Sequence, residues 1–428
     1  MLAIPALFKT LIVFGLVLCL SRFRVQLSVS LFIGALVLGF WMGLSPLQWL
    51  EAALLSVTHL QALSLLLIVG LLMVMSRIME SAGQMRRLVS TFTRLTHDPR
   101  IVGSVMTAMV GLLPMPGGAL FSAPLVDTSL SGQNVSVEQK TLVNYWFRHI
   151  WEYWWPLYPG AVLAMALLKV QTWPYIAFMS PLTLVTAIIG IVFILRPMGK
   201  LPSSGEEERS WSTSMSFLWE MMPILVVILV IGLIAGFEAI LSFSGIQVRV
   251  PGAISILPGL LAAIVWVCVV NKLPPVRIRS AFLDRGIIPM LLLVLAIIVF
   301  QGTLVESKAV FKMRDELTAY QVPLLAVFTL IPFLSGLLTG IAVGFVGLSF
   351  PLVVPMFPAN SFFEYMSCAA LAYTFGYMGM MLSPVHLCFL VTKDYYKANL
   401  LKCYRHLLLP TLTVMATVVC LFLVFGAF

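Results

Sequence analysis

Long apolar runs separated by short polar turns dominate the chain. Residues 27–44, 63–79, 175–195, 223–241, 252–270, 286–303 and 406–428 each approach the roughly 20 apolar residues that carry a helix across a bilayer. Such unbroken runs predict helices and exclude a β-barrel, whose strands alternate in polarity. The first stretch, MLAIPALFKTLIVFGLVLCLSRF, has one early lysine and no small-residue cleavage site, so it reads as an uncleaved first span rather than a signal peptide. The expected fold class is an all-α polytopic membrane protein.

One plainly hydrophilic segment, RPMGKLPSSGEEERS at 196–210, lies near the middle and prompts a search for a repeat. GLLPMPGGALFSAPLV at 111–126 resembles GLLTGIAVGFVGLSFPLV at 336–353, and Tyr145, Phe147 and Pro156 meet Tyr373, Phe375 and Pro384 at one common offset. The pattern predicts a first repeat at 1–196, with a re-entrant helical hairpin at 101–127 and a Pro-broken helix at 138–168. A cytoplasmic linker at 197–215 follows. The second repeat, 216–428, carries its hairpin at 323–357 and its broken helix at 367–392. With five full crossings per half, the second repeat is inverted relative to the first. Two ordinary spans per hairpin would keep the same parity and remain an alternative.

Composition agrees: 61% of the 428 residues are hydrophobic and 10% charged. The net charge of +9 could suggest nucleic acid, but the basic residues sit in loops beside apolar runs, so the charge reports topology and no nucleic-acid partner is expected. Under the five-crossing count, one face collects Arg22, Arg77, Arg100, Arg277, Lys393 and most other basic residues. The opposite face receives Lys9, Lys169, Arg249, Lys308, Lys312 and Arg314. The basic face is then cytoplasmic and both termini lie outside a bacterial or archaeal inner membrane. Six scattered cysteines lack metal spacing and read as packing residues.

Matching helix interruptions in two halves point to a secondary transporter, because a broken helix exposes N–H and C=O groups that a solute or ion can satisfy. The candidate breaks supply Pro114, Pro116, Gly117 and Gly118 in the first hairpin, Ser335, Thr339 and Gly340 in the second, and Ser383, Pro384 and His386 in the second broken helix. In the first broken helix, NYWFRHIWEYWWPLYPG places Asn144, Arg148, His149 and Glu152 among aromatics. Ionisable groups at membrane depth usually face an interior path or a partner. Arg148 would attract an anionic solute, with Glu152, His149 or His386 taking a proton. The alternative is that Arg148 and Glu152 neutralise each other within an aromatic belt, and that His386 is simply packed. No P-loop and no H-E-x-x-H zinc pattern occurs, so neither an ATP-driven pump, an enzyme, a bound metal nor a cofactor is expected beyond a coupling Na⁺ or H⁺.

The hairpin motifs, followed by GYMGMMLSPVHLCFLVT at 376–392, resemble the integral-membrane family catalogued as domain of unknown function 401. The resemblance covers nearly the whole chain. It implies kinship with the ion-transporter superfamily of gluconate, citrate and C4-dicarboxylate permeases. That in turn implies a scaffold, a mobile transport domain with elevator-type movement, and a homodimer. The expected function is secondary active transport of a small carboxylate-type anion coupled to Na⁺ or H⁺. The rivals are a cation/proton antiporter and an intramembrane lipid-handling protein.

Overall fold

The computed structural model describes residues 4–23, 25–92, 98–112, 118–199, 211–246, 250, 252–358 and 360–425, and these contain helices and turns but no strand. Before the linker the helices are α1 (Ala6–Arg22), α2 (Leu27–Trp41), α3 (Pro46–Thr58), α4 (Leu60–Ser81), α5 (Gln84–Phe92), α6 (Pro99–Gly111), α7 (Gly118–Ser129), α8 (Val137–Arg148), α9 (Pro159–Leu168), α10 (Thr172–Met179) and α11 (Pro181–Gly190). After it come α12 (Trp211–Phe243), α13 (Ile256–Val270), α14 (Pro275–Phe282), α15 (Ile287–Glu306), α16 (Ala309–Ala319), α17 (Leu324–Thr339), α18 (Ala342–Val353), α19 (Phe362–Met381), α20 (Leu387–Tyr396) and α21 (Leu400–Phe425).

Among the described residues six helices are long and apolar enough to cross a membrane: Leu60–Ser81, Thr172–Met198, Met215–Phe243, Ala253–Val270, Pro275–Glu306 and Leu400–Val424. They contain or closely match six of the seven runs expected from the sequence. The seventh, 27–44, forms the shorter α2. The linker is shorter than 197–215, because α12 already begins at Trp211. Four short helices, α3, α5, α14 and α16, were not signalled, since none has the length or apolar content of a span. Their ends are fixed chemically. Ser45 caps α3 in a reciprocal box with Gln48. Glu316 of α16 accepts the N–H groups of Ala6 and Leu7, each at 2.7 Å, and so satisfies the free end of α1.

Two groups of helices emerge from the packing. In one, α15 lies against α2, α3 and α4, while α13 joins α4 and α12. The other is built from two helical hairpins and two interrupted helices. The first hairpin is α6 folded on α7; Asp98 caps α6, and the hydrogen bonds of Arg100 hold its carboxyl below the ordinary range. The second is α17 folded on α18, turning at Gly340, whose φ of +65° suits the left-handed C-cap. The first interrupted helix runs from α8 to α9 and the second from α19 to α20. Each hairpin bridges both: α6 packs on α8 while α7 packs on α20, and α17 packs on α19 while α18 packs on α9.

Close backbone approach makes this interlock possible. A Cβ on Gly111 of α6 would fall on the carbonyl of Arg148, and one on Gly336 of α17 would fall on the carbonyl of Gly376 and lie 2.7 Å from the nitrogen of Met380. Gly336→Leu is expected to destabilise the fold by about 1–3 kcal/mol or more. Gly232→Leu in α12, where a Cβ meets nothing within 4 Å, serves as the control. Thermal unfolding in detergent checks this: the Gly336 variant must melt clearly below the Gly232 variant.

Candidate functional site

Helix α8 starts from a capping box between Ser136 and Gln139 and ends at Arg148. The chain then passes through turns until Pro159 opens α9 at a position where a proline's missing N–H costs nothing. This break is longer than the stretch around Pro156 expected from the sequence. It places His149 and Glu152 inside the interruption, so the spacing of Arg148 and Glu152 is not a helical i, i+4 pair. The second break, residues 382–386, contains Ser383 and Pro384.

An interrupted helix leaves carbonyls without intrahelical donors, and leaving one buried and unmet costs about 1–3 kcal/mol. Here the donors are three tyrosine hydroxyls, one threonine hydroxyl and the segment's own backbone. Tyr377 donates its hydroxyl to the carbonyl of His149 (2.7 Å), Thr183 to that of Ile150 (2.7 Å), Tyr373 to that of Glu152 (2.6 Å) and Tyr175 to that of Tyr153 (2.9 Å). The carbonyl of Trp151 takes the backbone N–H of Trp155 at 3.1 Å. Every carbonyl from His149 to Tyr153 is therefore met. The same segment serves the C-terminal turn of α6. Trp151 donates to Ala108 and Trp155 to Leu112, both at 2.8 Å, and Tyr158 donates to Gly111. Across the centre, Tyr145 donates to the carbonyl of Met381 at the end of α19 (2.9 Å). Tyr145, Trp151, Trp155 and Tyr158 of NYWFRHIWEYWWPLYPG are thus donors to carbonyls near helix ends.

Within this frame the polar residues converge. Arg148, His149, Glu152 and His386 are 4%, 2%, 7% and 5% exposed. The guanidinium of Arg148 lies against Gly118, the first residue of α7, where an added Cβ would sit 2.5 Å from Nη1 and 2.7 Å from Nη2. His149 Nδ1 lies 2.5 Å from the carbonyl of Tyr145, and its Nε2 faces Glu152 Oε1 at 3.9 Å. The rings of His149 and His386 meet edge-on at 5.0 Å, with Tyr145 packed against both. Asn144 donates to the carbonyl of Ala119 (3.1 Å) and to Thr392 Oγ1 (2.9 Å), joining α8 to α7 and α20.

Most of the expected residues meet here. Gly340 sits where a Cβ would be 2.9 Å from Ser383 Oγ and 3.0 Å from the nitrogen of His386, so the second hairpin's turn touches the second break. Ser335 and Thr339 bond back to the carbonyls of Ile331 (2.8 Å) and Ser335 (2.7 Å) in their own helix. Pro384 is exposed at the edge of the break. Pro114, Pro116 and Gly117 lie outside the described residues. Sequence reasoning missed Tyr377, Thr183, Tyr175 and Cys388, and used Tyr373 only as a repeat marker. Tyrosines spaced one helical turn apart beside a break were the available signal for Tyr373 and Tyr377.

The six span-length apolar helices among the described residues are the build of a polytopic membrane protein, with a buried ionisable centre between interrupted helices. The chain belongs to the family described as "Protein of unknown function (DUF401)", which matches residues 5–426. No curated protein matches it.

Removing a single donor should expose the dependence on these hydroxyls. Tyr373→Phe is expected to destabilise the protein by about 1–3 kcal/mol by orphaning the carbonyl of Glu152. Tyr320→Phe, at an exposed ring, should change nothing. Unfolding midpoints of the two variants in detergent make the comparison.

Proposed function

We propose that the chain is a secondary active transporter of a small organic anion of the carboxylate class, coupled to H⁺ or Na⁺. The observation that carries this reading is the guanidinium of Arg148 against Gly118 at the start of α7. The N-terminal end of a helix presents free N–H groups and partial positive charge, and an arginine beside it adds a fork suited to a carboxylate. Two positive groups brought together in an apolar interior favour a negative ligand. Glu152, His149 and His386, grouped within the same centre, supply proton-binding groups and favour H⁺ over Na⁺ as the coupling ion. A rival cation/proton antiporter would have no use for the arginine.

The inverted-repeat reading draws support from equivalent positions. Pairing Pro124 with Pro351 sets Gly118 opposite Phe345, and pairing Tyr145 with Tyr373 sets Arg148 opposite Gly376. The contacts are exchanged in the same sense: the Arg148 guanidinium covers Gly118, and the Phe345 ring covers Gly376. One half offers a charged centre; its counterpart is filled by a phenyl ring. In this reading both hairpins are re-entrant and the breaks lie near the membrane midplane.

An elevator-type movement would carry the hairpins and interrupted helices against the group around α4 and α15. Cavities of about 460 and 330 Å³ follow the seam between α4 and α9, and Lys169 at the end of α9 lines both. On α12, Leu225, Leu229, Leu233 and Phe237 form an exposed apolar stripe for lipid or a second copy of the chain. The family's kinship with the ion-transporter superfamily, a homodimeric state and a location in a bacterial or archaeal inner membrane with both termini outside belong to the same proposal.

Purified protein in liposomes, offered labelled carboxylates under imposed Na⁺ or proton gradients, tests the reading. Accumulation is expected under the proton gradient. Arg148→Ala should lower it about 10-fold or more, the worth of a charge-assisted hydrogen bond. Unchanged uptake by Arg148→Ala would remove Arg148 from the site. Lipid modification without accumulation under either gradient would overturn transport in favour of a lipid-handling protein.

A further inference from the structure

The two breaks also bring Cys388 together with the histidines and the glutamate assigned above to proton coupling, and this set of donors can serve a second ligand. One ring nitrogen from each of His149 and His386 and the Sγ of Cys388 all lie within 4.8 Å of one another. His149 comes from the first break, whereas His386 and Cys388 stand at the entry to α20. We infer that these three residues, with Glu152 as a fourth donor, bind a thiophilic divalent cation of the zinc class between the breaks.

The tautomer of His149 suits ligation. Its Nδ1, 2.5 Å from the carbonyl of Tyr145, must carry the proton of that hydrogen bond, which leaves the Nε2 lone pair facing inward toward Glu152 Oε1 at 3.9 Å. A backbone carbonyl on the far nitrogen is how ligating histidines are commonly oriented. The Nδ1 of His386 is buried and has no hydrogen-bond partner among the described residues. A ligand on this ring would remove the cost of an unmet polar atom. Zn–N and Zn–S bonds of about 2.0–2.3 Å in a tetrahedron separate the ligand atoms by roughly 3.3–3.8 Å, so small side-chain rotations close the observed spacing.

Donor chemistry selects the ion. Two imidazoles and a thiolate with one carboxylate suit zinc or cobalt, not magnesium or calcium, which take oxygen ligands. On binding, Cys388 gives up its thiol proton to solvent and the sulfur forms the bond to the metal. The thiolate and Glu152 then neutralise the dication. Because its ligands come from both interrupted helices, the ion would pin the breaks together. The inference stands on these four side chains and does not depend on which solute is carried.

Cobalt(II) provides the spectroscopic probe. The full chain in lipid nanodiscs is titrated with Co²⁺ and then with Zn²⁺, with no transport involved. One Co²⁺ per chain is expected, with the intense visible bands of a tetrahedral site, a near-ultraviolet thiolate charge-transfer band, and loss of both on adding Zn²⁺. Cys388→Ser should lose the charge-transfer band, and His386→Gln should weaken binding at least 10-fold. A wild-type protein showing no thiolate band, or binding Co²⁺ only at millimolar concentration, overturns the site however the variants fold. Persistence of the band in Cys388→Ser does the same.

Discussion

Everything at the centre depends on finding donors for backbone carbonyls where helices stop inside an apolar interior. The break after Arg148 leaves consecutive carbonyls exposed, and the fold meets them with side-chain donors drawn from α10, α11 and α19 as well as from the broken segment's own backbone. Each tyrosine donor fixes two elements at once, because its ring belongs to one helix while its hydroxyl reaches the broken segment. Without those donors the interruption would not persist, since the chain could regain hydrogen bonds by continuing as helix.

That constraint explains why charge and aromatic residues occur together in one short segment. Trp151, Trp155 and Tyr158 secure the end of α6, so the same stretch that carries Arg148, His149 and Glu152 also holds the hairpin whose α7 arm begins against the arginine. Positioning and chemistry are supplied by neighbouring residues in sequence. In the second half the close approaches are Gly336 against Gly376 and Gly376 beneath Phe345. The two halves thus differ most where the first carries its charge.

The long apolar helices were legible because span-length hydrophobicity is a strong local signal. Prolines and glycines mark interruptions but not where a helix stops: α8 already ends at Arg148, upstream of Pro156, where tertiary donors replace the missing helical bonds. Those partners are distant in sequence: Tyr377 reaches His149 from α19, and Thr183 reaches Ile150 from α11. Cys388 was passed over as packing because its partnership with His149 exists only once the breaks face each other. Short helices such as α3 and α16 were invisible for the opposite reason: their role is to cap and buttress, which leaves little mark on hydropathy.

The central claim is that the placement of Arg148 against the start of α7, and not merely its charge, makes the anion site. Equilibrium binding of a labelled carboxylate to Gly118→Val in nanodiscs tests this most directly. The three heavy atoms nearest an added Cβ all belong to the guanidinium of Arg148, with Cζ at 2.8 Å, so the substitution displaces that group. The account predicts wild-type unfolding behaviour with carboxylate binding weakened about as much as in Arg148→Ala. Wild-type affinity in Gly118→Val would contradict it.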